Sequence, residues 1–335
     1  MNIESAVLDR YTAGAQAREE SLCCPVDYDN KLLAILPQEI IDRDYGCGDP
    51  SRYVQEGDTV LDLGSGGGKI CYMAAQLVGP RGKVIGVDIN DEMLALARKY
   101  QSAMAARLGS DRVEFIKGLV QDLALDVDAR DTWLRDHPLT DDSVREQQAS
   151  RETEQKTNRP LIADNSVDLV ISNCVLNLVA DNEKRQLINE VFRVLKPGGR
   201  IAISDIISDR PVPAGMKNDP ELWSGCLSGA FHEAEMPALF AEAGFAAVTY
   251  DKWDAAPWRV INDIPFRSVT LTSMRPVIAG ARNAYCELFY RGPFETVTDE
   301  AGQTYRRGER IAVTPERHRV LTGPAYAGAF IDLSQ

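Results

Sequence analysis

The sequence predicts an α/β protein built on a doubly wound, Rossmann-like parallel sheet. Three observations predict this fold: strand patterns alternate with helix patterns, a glycine-rich segment follows the first strand, and an acid ends the second strand. Strands that alternate with helices form βαβ units, whose right-handed crossovers build a parallel sheet. We expect a polar insertion within this sheet domain and a small, mainly β appendage after it.

Composition limits the classes of partner. The chain has 335 residues, of which 44% are hydrophobic and 26% charged, as is typical of globular proteins. Its formal net charge of −13 argues against a nucleic acid or an anionic membrane surface as the main partner, because both attract clustered Lys and Arg. No apolar run reaches membrane-spanning length, and the N-terminus lacks a signal-peptide core. We therefore expect a cytoplasmic monomer that acts on a small molecule.

The first half of the chain contains three predicted strands. Residues 1–58 are expected to form one or two short helices and a loop, with a short helix at 37–44 that gives way to YGCGDP. Short apolar runs then predict strands at Thr59–Leu63, Lys83–Asp88 and Val113–Lys117. The segments between them have the amphipathic pattern of helices.

The second half begins with an interruption. Residues from about 125 to 160 are acidic, polar and poor in aliphatic side chains, which predicts a surface insertion that is partly helical or disordered. The sheet pattern resumes with a fourth strand at 166–173, a fifth after PGG, two helices in DPELWSGCLSGAF and HEAEMPALFAEAG, and a late strand in FAAVTYDKW. Short strand-like pieces follow in CELFYRG, ETVTD, IAVTP and VLTG. The predicted domains are therefore 1–58, 59–254 and 255–335.

The segment VLDLGSGGG has the features of a cofactor-binding loop. Glycines let a ligand approach the backbone, and the start of the following helix offers unpaired N–H groups. A nicotinamide-binding loop would place a third glycine at position 69, where this chain has Lys69. Asp62 suits a cofactor with a cationic amino group better than a pyrophosphate, and Asp88 is placed to accept hydrogen bonds from ribose hydroxyls. The alternative is a tight strand–helix turn without a ligand.

This ordered set resembles the class I methyltransferases, which use S-adenosylmethionine. In that family the loop acid lies near the methionyl end of the cofactor, the strand-two acid binds the ribose, and the residues after the third strand border the adenine. The resemblance implies a cofactor-binding set that consists of Asp62, Gly64, Ser65, Gly66, Asp88, Ile89, Met93, Gly118, Leu119 and Asn173.

Three of the seven cysteines occur in contexts that indicate chemistry. Cys47 lies in GCGDP, Cys174 follows the fourth strand in SNCVLNL, and Cys226 lies in WSGCLSGA. Ligands of open parallel sheets bind beyond the carboxyl ends of the strands, so we expect Cys174 to face the cofactor crevice. Each cysteine alone is more simply a buried, inert side chain, but together they suggest a shared site. No paired C-x₂-C spacing indicates zinc, and three histidines leave little for acid–base catalysis.

These contexts resemble the arsenite methyltransferases. The motifs are YGCGDP, VLDLGSGGGKICYMAAQLVGPRGKVIGVDINDEML, VISNCVLNL and WSGCLSGA, and the resemblance runs from about Tyr45 to Gly244. It implies that Cys47, Cys174 and Cys226 bind trivalent arsenic. The segments SLCCPVDYD and YRGPFETVTD further resemble a longer, microbial branch of the family that is associated with arsenosugar production.

The implied chemistry is self-consistent. Thiolates are soft ligands for a soft, polarizable centre, and the arsenic lone pair is then the nucleophile for the sulfonium methyl group. Such a transfer needs orientation more than proton movement, which fits the few histidines. Methylation formally oxidises the arsenic, and vicinal thiols can return it to the trivalent state as a disulfide forms. Cys23 or Cys24 is our candidate for the partner thiol, which glutathione, another external thiol or thioredoxin would restore.

Alternatives remain open at this point. One of the adjacent pair Cys23 and Cys24 can be a packed side chain, Cys71 is expected to fill the core, and Trp223 can cover the arsenic or merely pack. The enzyme can instead methylate carbon or oxygen of a small organic molecule, with incidental cysteines. A third hypothesis is an arsenic-binding protein without activity, which does not explain the glycines and acids of the cofactor loop.

Overall fold

The computed structural model describes residues 3–19, 26–277, 286–299, 302–326 and 328–333. Cys23 and Cys24 therefore lie outside the described residues. The chain forms two compact units, Met1–Pro276 and Val277–Gln335.

The first unit contains one large mixed sheet. Its parallel half is formed by β1 (Thr59–Leu63), β2 (Lys83–Asp88), β3 (Val113–Lys117), β4 (Val167–Asn173) and β5 (Leu195–Ser208). The antiparallel half adds β7 (Ala246–Trp253) and β9 (Ile264–Met274), while β6 (Phe231–His232) pairs with β5 and β8 (Arg259–Ile261) with β9. The strand order is β3-β2-β1-β4-β5-β9-β7. The predicted doubly wound α/β fold is confirmed, including each of the five parallel strands.

Helices cover both faces of this sheet. They are α1 (Ile3–Gln16), α2 (Asn30–Leu33), α3 (Gln38–Asp42), α4 (Lys69–Leu77), α5 (Asp91–Lys99), α6 (Gln101–Leu108), α7 (Val127–Asp136), α8 (Asp142–Asn158), α9 (Lys184–Val194), α10 (Ala214–Lys217), α11 (Pro220–Ser224) and α12 (Glu235–Glu242). Successive strand residues point to opposite faces, so Leu61 of β1 packs in the core beneath α9 and α12, whereas Val60 packs beneath α4, α5 and α6. The strands are buried on both faces, as parallel strands usually are.

The polar insertion is helical. It folds as α7 and α8, whose N-termini are capped by the side chains of Asp126 and Asp141. Every residue of α8 is partly or fully exposed, which explains why the segment shows no apolar periodicity.

Three details differ from the predictions. Residues 255–276, which we assigned to the appendage, belong to the first unit because β9 pairs with β5 from Phe266 to Met274. The helix predicted in DPELWSGCLSGAF ends at Ser224, since Cys226 adopts a left-handed backbone conformation with φ of +60°. The piece VLTG ends helix α13 (Pro315–Leu321) and is not a strand.

The second unit is small and mainly β. A three-stranded antiparallel sheet has the order β13 (Arg310–Val313), β10 (Cys286–Tyr290), β14 (Phe330–Asp332), and β11 (Thr296–Thr298) forms a hairpin with β12 (Thr304–Arg306). Its core contains Leu288, Tyr290, Tyr305, Val313, Leu321 and Phe330. Among the described residues of either unit, no helix is long and apolar enough to cross a bilayer.

Strand β1 carries an acid into the core. The side chain of Asp62 is almost fully buried, and its Oδ2 lies 3.2 Å from the Sγ of Cys71, which donates a hydrogen bond to it. Burial raises the pKa of Asp62 to about 8; the hydrogen bond from Cys71 opposes this shift, and the charges of Asp44 and Asp88 add to it. Asp62 therefore holds a proton in the folded protein at neutral pH.

We predict that this acid makes folding stability fall as pH rises. An unfolded aspartate loses its proton near pH ~4, whereas folded Asp62 keeps it until about pH 8, so the unfolded state binds fewer protons in that window. The free energy of unfolding of Asp62→Asn, measured by urea denaturation, should therefore rise relative to that of the wild type as the pH is raised from 5 to 8. Asp263→Asn, in an exposed turn, is the control. If the free energy of unfolding of Asp62→Asn differs from that of the wild type by the same amount at pH 5 and at pH 8, the prediction is contradicted.

Candidate functional site

A cavity of about 570 Å³ opens at the carboxyl ends of β1, β2 and β4. This is the position at which doubly wound sheets bind their ligands, because the crossovers there turn to opposite faces. Most of the predicted cofactor-binding residues line it, namely Gly64, Gly66, Asp88, Ile89, Met93, Gly118, Leu119 and Asn173, and so does Cys174.

The glycine loop and the acid of β2 form one wall of the cavity. The N–H of Gly66 donates to Asp88 Oδ2, and the N–H of Asn90 donates to Oδ1, each at 2.8 Å. Gly66 adopts a left-handed φ of +52°, which only glycine adopts readily. Burial raises the pKa of Asp88, and these two N–H groups partly offset that effect. The carboxylate is thus fixed in orientation beside the space that the cavity leaves.

A second acid, Asp44, lies where the sequence predicts Asp62. Asp44 lines the cavity, and its Oδ2 accepts from the N–H of Lys69 at 3.0 Å, at the start of α4. The Lys69 ammonium lies 3.5 Å from Asp44 Oδ1, and both side chains are buried. Asp62 near the end of β1 and Ser65 within the glycine loop are both buried and do not line the cavity. Sequence reasoning missed Asp44 because only the fold brings it to the helix start, 25 residues along the chain.

The N-terminal helix covers the cavity. Ser5, Val7, Leu8 and Tyr11 of α1 are among its lining residues. The Asn90 amide donates to Leu8 O at 3.3 Å and to Thr12 Oγ1 at 3.0 Å, which holds α1 against the start of α5. Arg10 donates to Glu221 O and to Ser224 Oγ, each at 3.0 Å, which holds α1 against α11. Helix α1 therefore connects the cavity to the segment that carries Cys226, and no motif in the sequence predicts this.

The three predicted thiols come together in one buried cluster. Cys47, Cys174 and Cys226 pack with apolar side chains that include Ile206 and Phe266. Cys47 and Cys174 are joined by a disulfide, with their Cα atoms 6.0 Å apart. The thiol of Cys226 donates to Cys174 O at 3.2 Å. Cys174 also lines the cavity, so the thiol cluster and the cavity share a wall.

Two of these cysteines have unusual backbone conformations. Cys174 and Cys226 both adopt φ of +60°, a left-handed conformation that residues other than glycine rarely take. Strained backbone of this kind costs of order 1–3 kcal/mol and is concentrated at functional sites, where the surrounding structure holds it in place.

Asn173 holds the segment that carries Cys47. Its Oδ1 accepts from the N–H of Cys47 at 2.9 Å and from that of Gly48 at 3.1 Å, and its Nδ2 donates to Gly48 O at 2.8 Å. Ser268 of β9 donates its hydroxyl to Cys47 O at 2.6 Å. Asn173, which we predicted to bind the cofactor, thus lines the cavity and also fixes Cys47 beside the end of β4.

An acid that the sequence did not indicate lies at the disulfide. The Sγ atoms of Cys47 and Cys174 and a carboxylate oxygen of Asp205 all lie within 4.8 Å of one another. Asp205 is fully buried near the end of β5, where its oxygens accept from the N–H groups of Ile206 at 2.8 Å and Asn177 at 3.3 Å. Burial raises the pKa of Asp205 to about 7, although those N–H groups and the charge of Lys184 oppose the shift.

The other residues discussed in the sequence analysis have ordinary structural surroundings. Trp223 is buried, and its indole N–H donates to Leu178 O at 3.1 Å. Cys71 is buried within the core beneath α4. Cys286 begins β10 of the second unit.

Each unit matches a known family model. A family described as a methyltransferase domain matches residues 54–161 and 151–244, and a domain of unknown function matches residues 280–335. The first match covers more than half of the chain. It contains the glycine loop, Asp88 and two of the three clustered cysteines, Cys174 and Cys226.

Matches to individual proteins indicate a more specific family than the methyltransferase domain alone. The chain is 31% identical over 318 residues to an arsenite methyltransferase of Aquipseudomonas alcaligenes, covering 91% of this chain and 78% of that one. It is 37% identical over 209 residues to an arsenite methyltransferase of Halobacterium salinarum, although the match spans only 42% of that longer protein and 62% of this one.

A solved structure agrees with these matches. The arsenic(III) S-adenosylmethionine methyltransferase of Chlamydomonas reinhardtii superposes with a TM-score of 0.59 at 25% identity, covering 93% of this chain and 97% of that one. The fold, the glycine loop and the extended similarity lead to one assignment. This chain belongs to the arsenite methyltransferase family of S-adenosylmethionine-dependent enzymes.

Proposed function

We propose that the protein transfers a methyl group from S-adenosylmethionine to trivalent arsenic held by the thiolates of Cys47, Cys174 and Cys226. One observation carries the proposal: Cys174 belongs both to the thiol cluster and to the wall of the cavity. An arsenic atom bound to its sulfur would therefore lie next to whatever occupies the cavity.

The residues of the cavity suit S-adenosylmethionine. A volume of about 570 Å³ falls within the ~300–1,000 Å³ that is typical of cofactor sites. Asp88 offers carboxylate oxygens to ribose hydroxyls, and Asp44 and Asp88 give the wall an acidic character that suits a cation better than a phosphate. When bound, the cofactor supplies a methyl group on a sulfonium sulfur. Helix α1 excludes water from this space and orients the bound molecule.

Arsenite is the substrate of the proposed reaction. Each thiol that binds it gives its proton to an arsenic hydroxyl, which leaves as water, so loading needs no histidine. Three sulfur ligands leave the arsenic lone pair free to attack the methyl carbon in line, and the apolar packing around the thiols protects that soft centre from competing ligands.

The reaction needs a reductant. Methylation forms an As–C bond and raises arsenic formally from the trivalent to the pentavalent state. Two sulfurs can then leave as a disulfide and return two electrons to the arsenic, while water fills the vacated position and releases a proton. The disulfide between Cys47 and Cys174 supports this sequence, since it is the product that the step requires.

Completion of the cycle requires reduction of that disulfide. We propose that glutathione, another external thiol or thioredoxin restores the two thiols, in the cytoplasm and with the enzyme as a monomer. Cys23 or Cys24 remains our predicted partner thiol in disulfide formation.

The position of Cys47 depends on the two glycines that flank it. A Cβ on Gly46 would lie 2.2 Å from Asn173 Nδ2, and a Cβ on Gly48 would lie 2.4 Å from Ser204 Oγ. Both distances are shorter than any real contact, so side chains at these positions would push the segment away from β4 and β5. The glycines are therefore required for Cys47 to reach the cluster.

We predict that Cys174→Ser abolishes arsenic methylation without abolishing cofactor binding. Serine is similar in size but is a hard ligand, so the rate of methylated arsenical formation should fall by more than tenfold, measured by chromatography of arsenic species. Affinity for S-adenosylmethionine, measured by calorimetry, should change by less than about threefold. Cys286→Ser, in the second unit, is the matched control. Full arsenite methylation by Cys174→Ser would contradict the proposal and favour a small organic acceptor.

We predict that Gly46→Ala reduces activity through the position of Cys47. The added methyl group overlaps the Asn173 amide, which should lower the melting temperature by several degrees and the arsenite methylation rate by at least tenfold. Gly215→Ala is the matched control, because a Cβ there meets no atom within 4 Å. If the two alanine variants behave alike in calorimetry and in the activity assay, the close approach does not position Cys47.

A further inference from the structure

We infer that Asp205 is a substrate-binding residue: its carboxylate accepts a hydrogen bond from the hydroxyl group that arsenite keeps after Cys47 and Cys174 have bound it. This inference rests on the proposed function and adds a residue to its arsenic site. It also predicts that the residue distinguishes arsenite from its methylated product.

Geometry places the carboxylate within reach of the arsenic. The Sγ atoms of Cys47 and Cys174 and an oxygen of Asp205 all lie within 4.8 Å of one another, so an atom bound to both sulfurs has Asp205 as its polar neighbour. The neighbourhood is otherwise mainly apolar, with Ile206 and Phe266 in the same cluster. A polar group on arsenic would lose its hydrogen bonds to water there, and an acceptor at this position replaces one of them.

The carboxylate is held in a fixed orientation. It accepts from the backbone N–H groups of Ile206 at 2.8 Å, Asn177 at 3.3 Å and Leu176, and the pairing of β5 with β9 at this residue fixes its backbone. Lys184 stabilises its charge from a distance, because the ammonium itself donates to Asp181 Oδ1 and to Gly229 O, each at 2.6 Å. Two carboxylate oxygens can accept about four hydrogen bonds, so these three leave capacity for one hydroxyl.

The stoichiometry of loading identifies the hydroxyl. Arsenite carries three hydroxyl groups; two thiols displace two of them as water, and one As–OH remains. Asp205 accepts the hydrogen bond of that As–OH until the Cys226 thiol transfers its proton to it, water leaves and the third As–S bond forms. Methylarsenite carries two hydroxyl groups, and two thiols consume both. A methylated substrate therefore offers no hydroxyl to Asp205 at this stage.

The test compares the two substrates in one variant. In Asp205→Asn one acceptor oxygen becomes an amide N–H₂, which faces a backbone N–H and can no longer accept. With S-adenosylmethionine and a phosphine reductant to keep the thiols reduced, we expect the kcat/KM for arsenite to fall at least tenfold. The value for methylarsenite should fall less than threefold, and the affinity for S-adenosylmethionine should stay within twofold. Asp58→Asn, at a buried acid paired with Arg200, is the control and should not change the ratio of the two substrates.

Every outcome bears on the inference. An equal loss with both arsenicals, or no loss with arsenite, overturns it, because a merely structural role does not distinguish the substrates. If Asp205→Asn does not fold, Asp205→Ser is measured by the same ratio, since its hydroxyl can still accept from Ile206 N–H. A wild-type enzyme that binds S-adenosylmethionine but methylates neither arsenical overturns the proposed function itself. That result is distinct, because it appears without any substitution.

Discussion

The hydrogen bonds of the Asn173 amide are the interaction on which the rest of the site depends. Asn173 is the last residue of β4, and its side chain lines the cavity and accepts hydrogen bonds from the N–H groups of Cys47 and Gly48. The next residue in the chain is Cys174. One short stretch of strand therefore positions one thiol directly and a second through the amide. Because β4 lies at the centre of the sheet, between β1 and β5, its end cannot shift without disturbing the whole core.

The polar groups around this point are arranged for a cation and a soft centre. Burial raises the pKa of Asp44, Asp62 and Asp88, and the charge of Asp44 raises the pKa of the other two further. Asp44 and Asp88, which line the cavity, repel a phosphate, whereas a sulfonium cofactor with an ammonium group relieves the repulsion. The thiol cluster on the other side packs mainly with apolar side chains, and Asp205 and the Tyr11 hydroxyl are polar groups beside it. The acidic wall of the cavity and the thiol cluster are thus separate parts of the site, and Cys174 belongs to both the cavity lining and the cluster.

Sequence reasoning succeeded where the signal was local and failed where it was not. The positions of the five parallel strands, the glycine loop, Asp88 and the three clustered cysteines follow from periodicity, short motifs and family resemblance. Asp44, Asp205 and α1 reach the site through contacts between segments far apart in the chain, which no spacing reveals. Residues 255–276 were misassigned for a related reason, because an antiparallel edge strand of a mixed sheet has the same pattern as a strand of a separate β unit.

The central claim is that three sulfurs of this chain bind arsenic beside the cofactor cavity. X-ray absorption at the arsenic edge, on the reduced protein loaded with one equivalent of arsenite, measures the ligands directly. We expect three sulfur neighbours and no oxygen neighbour in the wild type, and two sulfurs with one oxygen in Cys226→Ser. A wild-type spectrum dominated by oxygen neighbours, or one that Cys226→Ser leaves unchanged, would contradict the account.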